Sequence, residues 1–307
     1  MQISKKTTVD EIPLDRICRV TEMGNITEIM SSEHRSFRGY VLKVDKDHFI
    51  DLRTGEYREF EHTENRSQST QTVAKSLKNG RDLLNANITD VSHCRWVTLT
   101  YAENMTNPKK LYFDFKNCVK RLHIEFGDFE YIVFAEPQGR GAWHLHCVFI
   151  FGGKAPFMAN EIVSQCWKQG FVTVKRLDNV DNVGAYLTAY LGDMELSEVN
   201  ENDEFKKNPF LLVGRSVKEV EFEDENGIKQ TKRFVKGARL YMYPPGFRIY
   251  RYSKGIKKPT VSLMSYKSAK EKVRSDKQTF SKTVSLKDDV SDFENTLTYE
   301  YYNKVRK

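Results

Sequence analysis

Cysteine is scarce in this 307-residue chain, and its five copies, Cys18, Cys94, Cys118, Cys147 and Cys166, form no Cys-x-x-Cys pair. That scatter excludes a disulfide framework or a cysteine-based zinc ribbon as the organising principle. No stretch approaches the roughly 18 apolar residues of a membrane-spanning helix. The opening Met1-Gln-Ile-Ser-Lys-Lys-Thr-Thr has no apolar segment of the signal-peptide kind, so a cytoplasmic protein with no membrane partner is expected. Internal repeats and low-complexity tracts are absent. There is no Gly-x-x-x-x-Gly-Lys-Ser/Thr phosphate loop, so a fused helicase motor is not expected.

What is present is a core-forming composition, 39% hydrophobic and 12% aromatic, with a formal charge of +7. The charge is concentrated. Arg248 to Lys277 carries ten Lys/Arg against two acids, whereas Asp193 to Glu225 carries eleven acids against four bases. A concentrated basic stretch suits a polyanionic partner, most simply nucleic acid.

Periodicity gives a mixed α+β pattern without strict βαβα alternation, which favours a central antiparallel sheet flanked by helices. Residues 39–60 read as a hairpin turning at Arg53-Thr-Gly-Glu56. Ser67 to Leu84 reads as an amphipathic helix and Arg95 to Tyr101 as a strand. Pro108 to Phe126 reads as a helix with a Leu111, Phe115, Cys118, Val119, Leu122 stripe. Tyr131–Glu136 and Ala142–Phe151 form a hairpin around Pro137-Gln138-Gly139-Arg140-Gly141. A helix over Glu161–Lys168, a strand over Phe171–Lys175 and a helix over Asn182–Leu191 follow. A further hairpin turns at Asn226-Gly227. Beyond Pro259 the hydrophobic pattern thins, and a weakly structured tail is expected.

The segment that carries chemistry is Glu136-Pro-Gln-Gly-Arg-Gly-Ala-Trp-His144-Leu-His146. Side chains alternate faces along a strand, so the two imidazoles project together. Glu136 ends the partner strand of the same hairpin, and its carboxylate can complete a His-His-Glu set. Three protein ligands leave positions open for water or substrate, and this donor mixture suits Mn²⁺ or Mg²⁺. Some 40 residues on, Tyr186 and Tyr190 are four apart on the expected helix, and residues so spaced share one face. A phenolate can attack a phosphodiester and leave a covalent phosphotyrosine that conserves the bond for rejoining. Arg140, in its Gly139/Gly141 turn beside the metal set, is a candidate for contacting a phosphate. Trp143, Trp167 and Tyr101 are candidates either for stacking on unpaired bases or for the core.

The order Trp96-Val-Thr-Leu-Thr100, His144-Leu-His146, then Val183-Gly-Ala-Tyr186-Leu-Thr-Ala-Tyr190 resembles the HUH endonucleases, specifically rolling-circle replication initiator (Rep) proteins of bacterial plasmids and phages. The resemblance spans about Cys94 to Pro259 and includes Tyr243-Pro-Pro-Gly-Phe-Arg-Ile-Tyr-Arg-Tyr-Ser-Lys-Gly-Ile-Lys257. It implies a ferredoxin- or RRM-like palm and a metal-dependent endonuclease that nicks one strand of a replication origin and joins it again. By position it assigns the metal to Glu136, His144 and His146, the nucleophile to Tyr186 and a second phenol to Tyr190. Many members carry a Lys three residues after the first tyrosine, where this chain has Ala189; what that Lys contributes would come from Lys175 or Arg176, or be absent. Gln138, Arg140, Lys175, Arg176, Arg248, Arg251, Lys254, Lys257 and Lys258 are the candidate DNA contacts. Partners would be single-stranded or hairpin origin DNA, with helicase and polymerase supplied by the host. The expected organisation is an N-terminal region over 1–90 that recognises the origin, a nuclease domain over 91–260 and a charged tail over 261–307. A conjugative relaxase or transposase shares this chemistry. The reading from another class is a DNA-binding regulator without catalysis.

Overall fold

The computed structural model describes residues 2–5, 11–34, 40–62, 64–177, 184, 191–208, 212, 215–223, 229–287 and 293–306. Contacts divide the chain into two units, residues 1–62 together with 259–307, and residues 63–258. The first unit begins with β1 (Gln2–Lys5), β2 (Ile17–Met23) and β3 (Ile26–Ser32). β2 and β3 are joined by the two-residue turn Gly24-Asn25, in which Gly24 takes φ +58°, the left-handed geometry that tight hairpins require. Where one hairpin was expected over 39–60, there are three short strands, β4 (Val41–Lys43), β5 (His48–Asp51) and β6 (Tyr57–Glu59). The expected turn at Arg53–Glu56 is there. A second one at Asp45–Asp47 is closed by the Asp45 carboxylate, which accepts from the Asp47 and His48 amides.

The second unit carries the site. It opens with α1 (Thr70–Asn87), followed by β7 (Cys94–Thr100), α2 (Pro108–Phe126), β8 (Phe129–Pro137), β9 (Trp143–Phe151), α3 (Asn160–Trp167) and β10 (Val172–Lys175). From β7 to β10 this is a βαββαβ run, and the strands lie in the order β10-β7-β9-β8 with every neighbour antiparallel. That is the ferredoxin-like arrangement, so the expected α+β class and the palm implied by the resemblance are both seen. Pro108 stands at the start of α2, where its missing N–H costs nothing, and the Asn107 side chain accepts from Lys109 N and Lys110 N. The α2 stripe of Leu111, Phe115, Cys118 and Leu122 packs with Val97, Leu99, Val133, Ala135, Leu145 and Cys147 on one face of the sheet. The alternate residues, Ile132, Phe134 and Val148, face the other way and pack with Leu83 and Leu84 of α1. α1 therefore belongs with this sheet and not with a separate 1–90 region.

The chain continues through β11 (Met194–Glu195), a helix at Leu196–Glu201, a helix at Asp203–Lys207 and the pair β12 (Val217–Glu223) and β13 (Lys229–Val235). β12 and β13 pair in the register of the expected hairpin, whose Asn226-Gly227 turn lies outside the described residues. β14 (Tyr250–Tyr252) then adds to β8 as the fifth strand of the sheet.

Residues 260–303 are not the weakly structured tail that the sequence suggests. They form β15 (Thr260–Ser265), a helix at Tyr266–Lys272, β16 (Lys277–Lys287) and β17 (Glu294–Asn303), in a sheet ordered β1-β16-β17-β3-β2-β15. Hydropathy misses them because hydroxyls occupy many inward positions. Thr283, Ser285 and Thr298 are buried, and the Thr283 and Thr298 hydroxyls bond across the ladder at 3.1 Å. The basic run Arg248–Lys277 is consequently divided between the two units.

Candidate metal centre

The β8–β9 hairpin is closed by a turn in which Gln138 N donates to Ala142 O (2.7 Å) and Gly141 N to Gln138 O (2.8 Å). Gly141 supplies a φ of +87° there. This fixes a register in which Glu136 faces His144 and Phe134 faces His146. Directly opposed residues share a face, so the alternation of β9 and the length of the turn bring the three chemical groups together. Glu136 Oε2 lies 3.0 Å from His144 Nε2 and 3.2 Å from His146 Nε2. One donor atom from each residue falls within 4.8 Å of the others. A cluster of two imidazole nitrogens and one carboxylate oxygen is a fitting set for a divalent ion.

The surroundings explain how a carboxylate is held there. Glu136 is 4% exposed. Burial alone pushes its pKa up, but hydrogen bonds from His144 and His146 and the positive Arg239 outweigh it and hold the group ionised, well below the usual carboxylate range. Its other oxygen, Oε1, accepts from Gly192 N at 2.9 Å and pairs with Arg239 Nη1 at 3.2 Å. Arg239 Nη2 reaches Glu198 Oε2 at 2.9 Å, and Arg239 N donates to Gly192 O at 2.9 Å. With Oε1 so occupied, Oε2 is left to the imidazoles. Burial, the strongest influence on His144, lowers its pKa and favours the neutral ring that a metal ligand must be.

β7 contributes the outer layer. Its register puts Thr98 opposite His146 and Thr100 opposite His144. Thr98 Oγ1 is 3.3 Å from His146 Nδ1. When Nε2 serves a metal, Nδ1 carries the proton and donates to that hydroxyl, which fixes the ring orientation. The Trp-Val-Thr-Leu-Thr motif is thus more than strand-forming sequence. A period of two puts both threonines on one face, and the register makes that the histidine face.

The other expected site residues are scattered. Tyr186 and Tyr190, with the helix expected over 182–191, lie outside the described residues apart from Gly184 and Leu191. Gly184 N donates to Asn85 Oδ1 of α1 at 2.9 Å. Arg140 is exposed, with Nη2 on Tyr101 O at 2.9 Å and Nε on Gln138 Oε1 at 3.2 Å. Lys175 and Arg176 are exposed at the β10 edge of the sheet. At the opposite edge, Arg248, Arg251, Lys254, Lys257 and Lys258 are exposed around β14. Ala135 N donates to Ile249 O at 2.8 Å, which sets Arg248 at the Glu136 end of that strand. Arg251 lies over the Tyr112 ring, 3.5 Å from its centroid. Trp143, Trp167 and Tyr101 are core residues rather than stacking platforms, each 3% exposed or less. Their polar atoms are taken by Thr106 O, Thr100 O and the Asp114 carboxylate. Sequence reasoning has no signal for Arg239, Gly192 or Glu198, which come from a separate stretch of chain with no motif of its own.

Fold and side chains together define a ferredoxin-like domain with a Glu-His-His centre able to bind a metal ion at one end of its sheet. A family model described as a replication-associated protein matches residues 94–195, a span that runs from β7 through Gly192. The match supports a replication initiator of the Rep type. No curated protein matches the chain, and no solved structure matches it. Among the described residues, no helix is long and apolar enough to cross a membrane.

Proposed function

We propose that the protein is a metal-dependent, sequence-specific single-strand DNA endonuclease and strand-transferase of the HUH kind. In this reading it nicks a replication origin through a phosphotyrosine intermediate to start rolling-circle replication in the cytoplasm. The observation that carries the reading is the hydrogen bond from Gly192 N to Glu136 Oε1. Gly192 stands two residues after Tyr190, and Gly184, two residues before Tyr186, is bonded to α1. These two bonds, one to the metal-capable carboxylate and one to α1, flank the two tyrosines in the sequence.

Glu136, His144 and His146 would hold Mn²⁺ or Mg²⁺. When bound, such an ion supplies Lewis-acid polarisation of the scissile phosphate. The side chains account for the rest. Tyr186 gives up its phenolic proton and its oxygen forms a bond to phosphorus. The bond from phosphorus to the 3′ oxygen breaks, and that oxygen takes a proton to become the hydroxyl that primes synthesis. Tyr190 repeats the attack at the regenerated origin to end a round, and the 3′ hydroxyl that this frees attacks the phosphorus held on Tyr186, restoring the phosphodiester as the Tyr186 oxygen leaves and takes a proton. Lys175 and Arg176 on one side, and Arg248, Arg251, Lys254, Lys257 and Lys258 on the other, contact the phosphate backbone, and Arg140 and Gln138 contact the DNA beside the metal set. The first unit recognises the origin, and the host supplies helicase and polymerase.

Incubation with labelled single-stranded origin DNA and Mn²⁺ tests this, read as a covalent adduct on a denaturing gel. The adduct should vanish with EDTA, in His144→Ala and His146→Ala, and in Tyr186→Phe but not Tyr190→Phe. The histidine variants should retain most DNA affinity, because that comes from salt-sensitive phosphate contacts. Tight binding without an adduct on any origin would favour the non-catalytic regulator. Cleavage that survives EDTA would remove the metal role.

A further inference from the structure

Phe171 is 72% exposed, yet it belongs to the same cross-strand row as the metal-binding groups. Thr100 N donates to Phe171 O at 2.9 Å, Thr100 faces His144, and His144 faces Glu136. Single exposed apolar residues are ordinary on protein surfaces. This one also forms part of a cleft of about 540 Å³, together with Thr100, Gln138, Arg140, Glu198 and Glu201. That volume falls within the range of sites that take a small molecule or a comparable group.

The chemistry of the walls narrows the occupant. Thr100 offers a hydroxyl, Gln138 an amide and Phe171 a flat aromatic face. Two carboxylates, Glu198 and Glu201, outnumber the one guanidinium of the lining, Arg140, which is bonded to Tyr101 O and Gln138 Oε1, so the cleft is unfavourable for a phosphate; Glu198 is already paired with Arg239. A neutral, planar group with hydrogen-bonding edges fits; a polyanionic backbone does not. Outside the cleft, Thr173 and Lys175 follow Phe171 at alternate positions of β10 and are likewise exposed. They offer a hydroxyl and a cation on the same side of the edge strand, where a phosphate backbone leaving the cleft would run.

We infer that this cleft receives one unpaired base of the DNA strand next to the scissile phosphate, stacked on Phe171, so that Phe171 is a positioning residue that selects single strands over duplex. The inference rests on the nicking reading above. Stacking on an aromatic ring tolerates any base, so such a site would hold the strand in place without reading its sequence.

The test uses the full chain in EDTA, where cleavage is blocked, with a 5′-fluorescein 15-nucleotide single strand of mixed sequence and the same sequence as duplex. Phe171→Ala should weaken single-strand binding by about 5- to 150-fold, the range for losing one base–aromatic stack. It should leave duplex binding and the slope of log K against log salt unchanged, since no phosphate contact is lost. Phe171→Trp should restore affinity. Lys175→Ala should instead reduce the salt slope by about one. A 5-iodouracil strand irradiated on the wild-type protein should cross-link to the peptide containing Phe171. Melting temperature controls for folding. Equal affinity of wild type and Phe171→Ala, or cross-linking confined to other peptides, would overturn the inference. If adducts form on origin DNA in Mn²⁺ with an unchanged KM in Phe171→Ala, this inference fails and the nicking reading stands. If no strand gives an adduct but the Phe171 cross-link forms, the nicking reading fails and the base site stands.

Discussion

Arg239 pairs with Glu136 through Nη1 and Oε1 at 3.2 Å, on the carboxylate oxygen that faces away from the imidazoles. The same guanidinium holds Glu198, so one planar fork joins the metal-capable centre to the cleft beside it. Arg239→Ala should leave Oε1 with Gly192 N alone and free the carboxylate to rotate. Loss of such an outer partner typically costs about 10- to 100-fold in metal affinity, which titration calorimetry with Mn²⁺ would register. Arg239→Lys should recover only part of it, because a single ammonium cannot present two parallel N–H groups to two carboxylates.

Thr98 tests the other side of the centre. Thr98→Val keeps the shape and removes the partner of His146 Nδ1. Mn²⁺ affinity should fall by about tenfold while binding of single-stranded DNA is retained. An unchanged metal affinity would mean that the ring is oriented by packing against Trp96, whose centroid is 6.1 Å away, and not by the hydroxyl.

Gly184 packs tightly against α1. A Cβ built on it would lie 2.4 Å from Arg81 O, a backbone atom that cannot swing aside. Gly184→Ala should therefore strain the contact with α1, costing about 1–3 kcal/mol of stability in a chemical melt. Adduct formation should fall by more than the loss of folded protein explains. Gly80→Ala is the control on the opposite side of α1, since its Cβ would meet the Phe134 ring at 2.7 Å; it should destabilise without selectively affecting the adduct.

The thiols give a pH prediction. All five are buried, and none is in a disulfide among the described residues. Burial pushes Cys94 and Cys118 up to about 12 and raises Cys147 well above the ordinary thiol value. A raised thiol pKa in the folded state means that folding favours the protonated form. This contribution is complete below the ordinary thiol value of about 8.5 and diminishes as pH climbs from there towards 12. At pH 8 the native protein should react slowly with a thiol-specific disulfide reagent and yield five fast-reacting groups after denaturation. A fast-reacting group in the native protein would contradict the burial.

How much of this is legible in the sequence depends on whether the information is local. β8, the Gly139–Gly141 turn and β9 are consecutive, so alternation along one hairpin is enough to bring Glu136, His144 and His146 together. The Pro108 start and apolar stripe of α2 are equally plain. Arg239 is not, because a salt bridge between residues far apart in the chain leaves no periodic trace. Neither is Phe171, whose exposure depends on being at a sheet edge. The 261–307 segment reads as a tail because buried hydroxyls paired across strands look like surface residues to any measure of hydropathy. Trp143, Trp167 and Tyr101 carry polar atoms that suit both a wet surface and a satisfied core, and only the partners found for those atoms decide between the two.

The pairing of β3 with β17, which sets Ile26 opposite Asn303, has a consequence for the order of assembly. Every contact within 63–258 is complete once that stretch has left the ribosome, whereas β2 and β3 must wait for nearly the whole chain before the middle of their sheet exists. Domains that emerge early fold early, so the 63–258 unit should acquire its structure while β2 and β3 are still without their partners. Strands β2 and β3 would become native after elements made long after them.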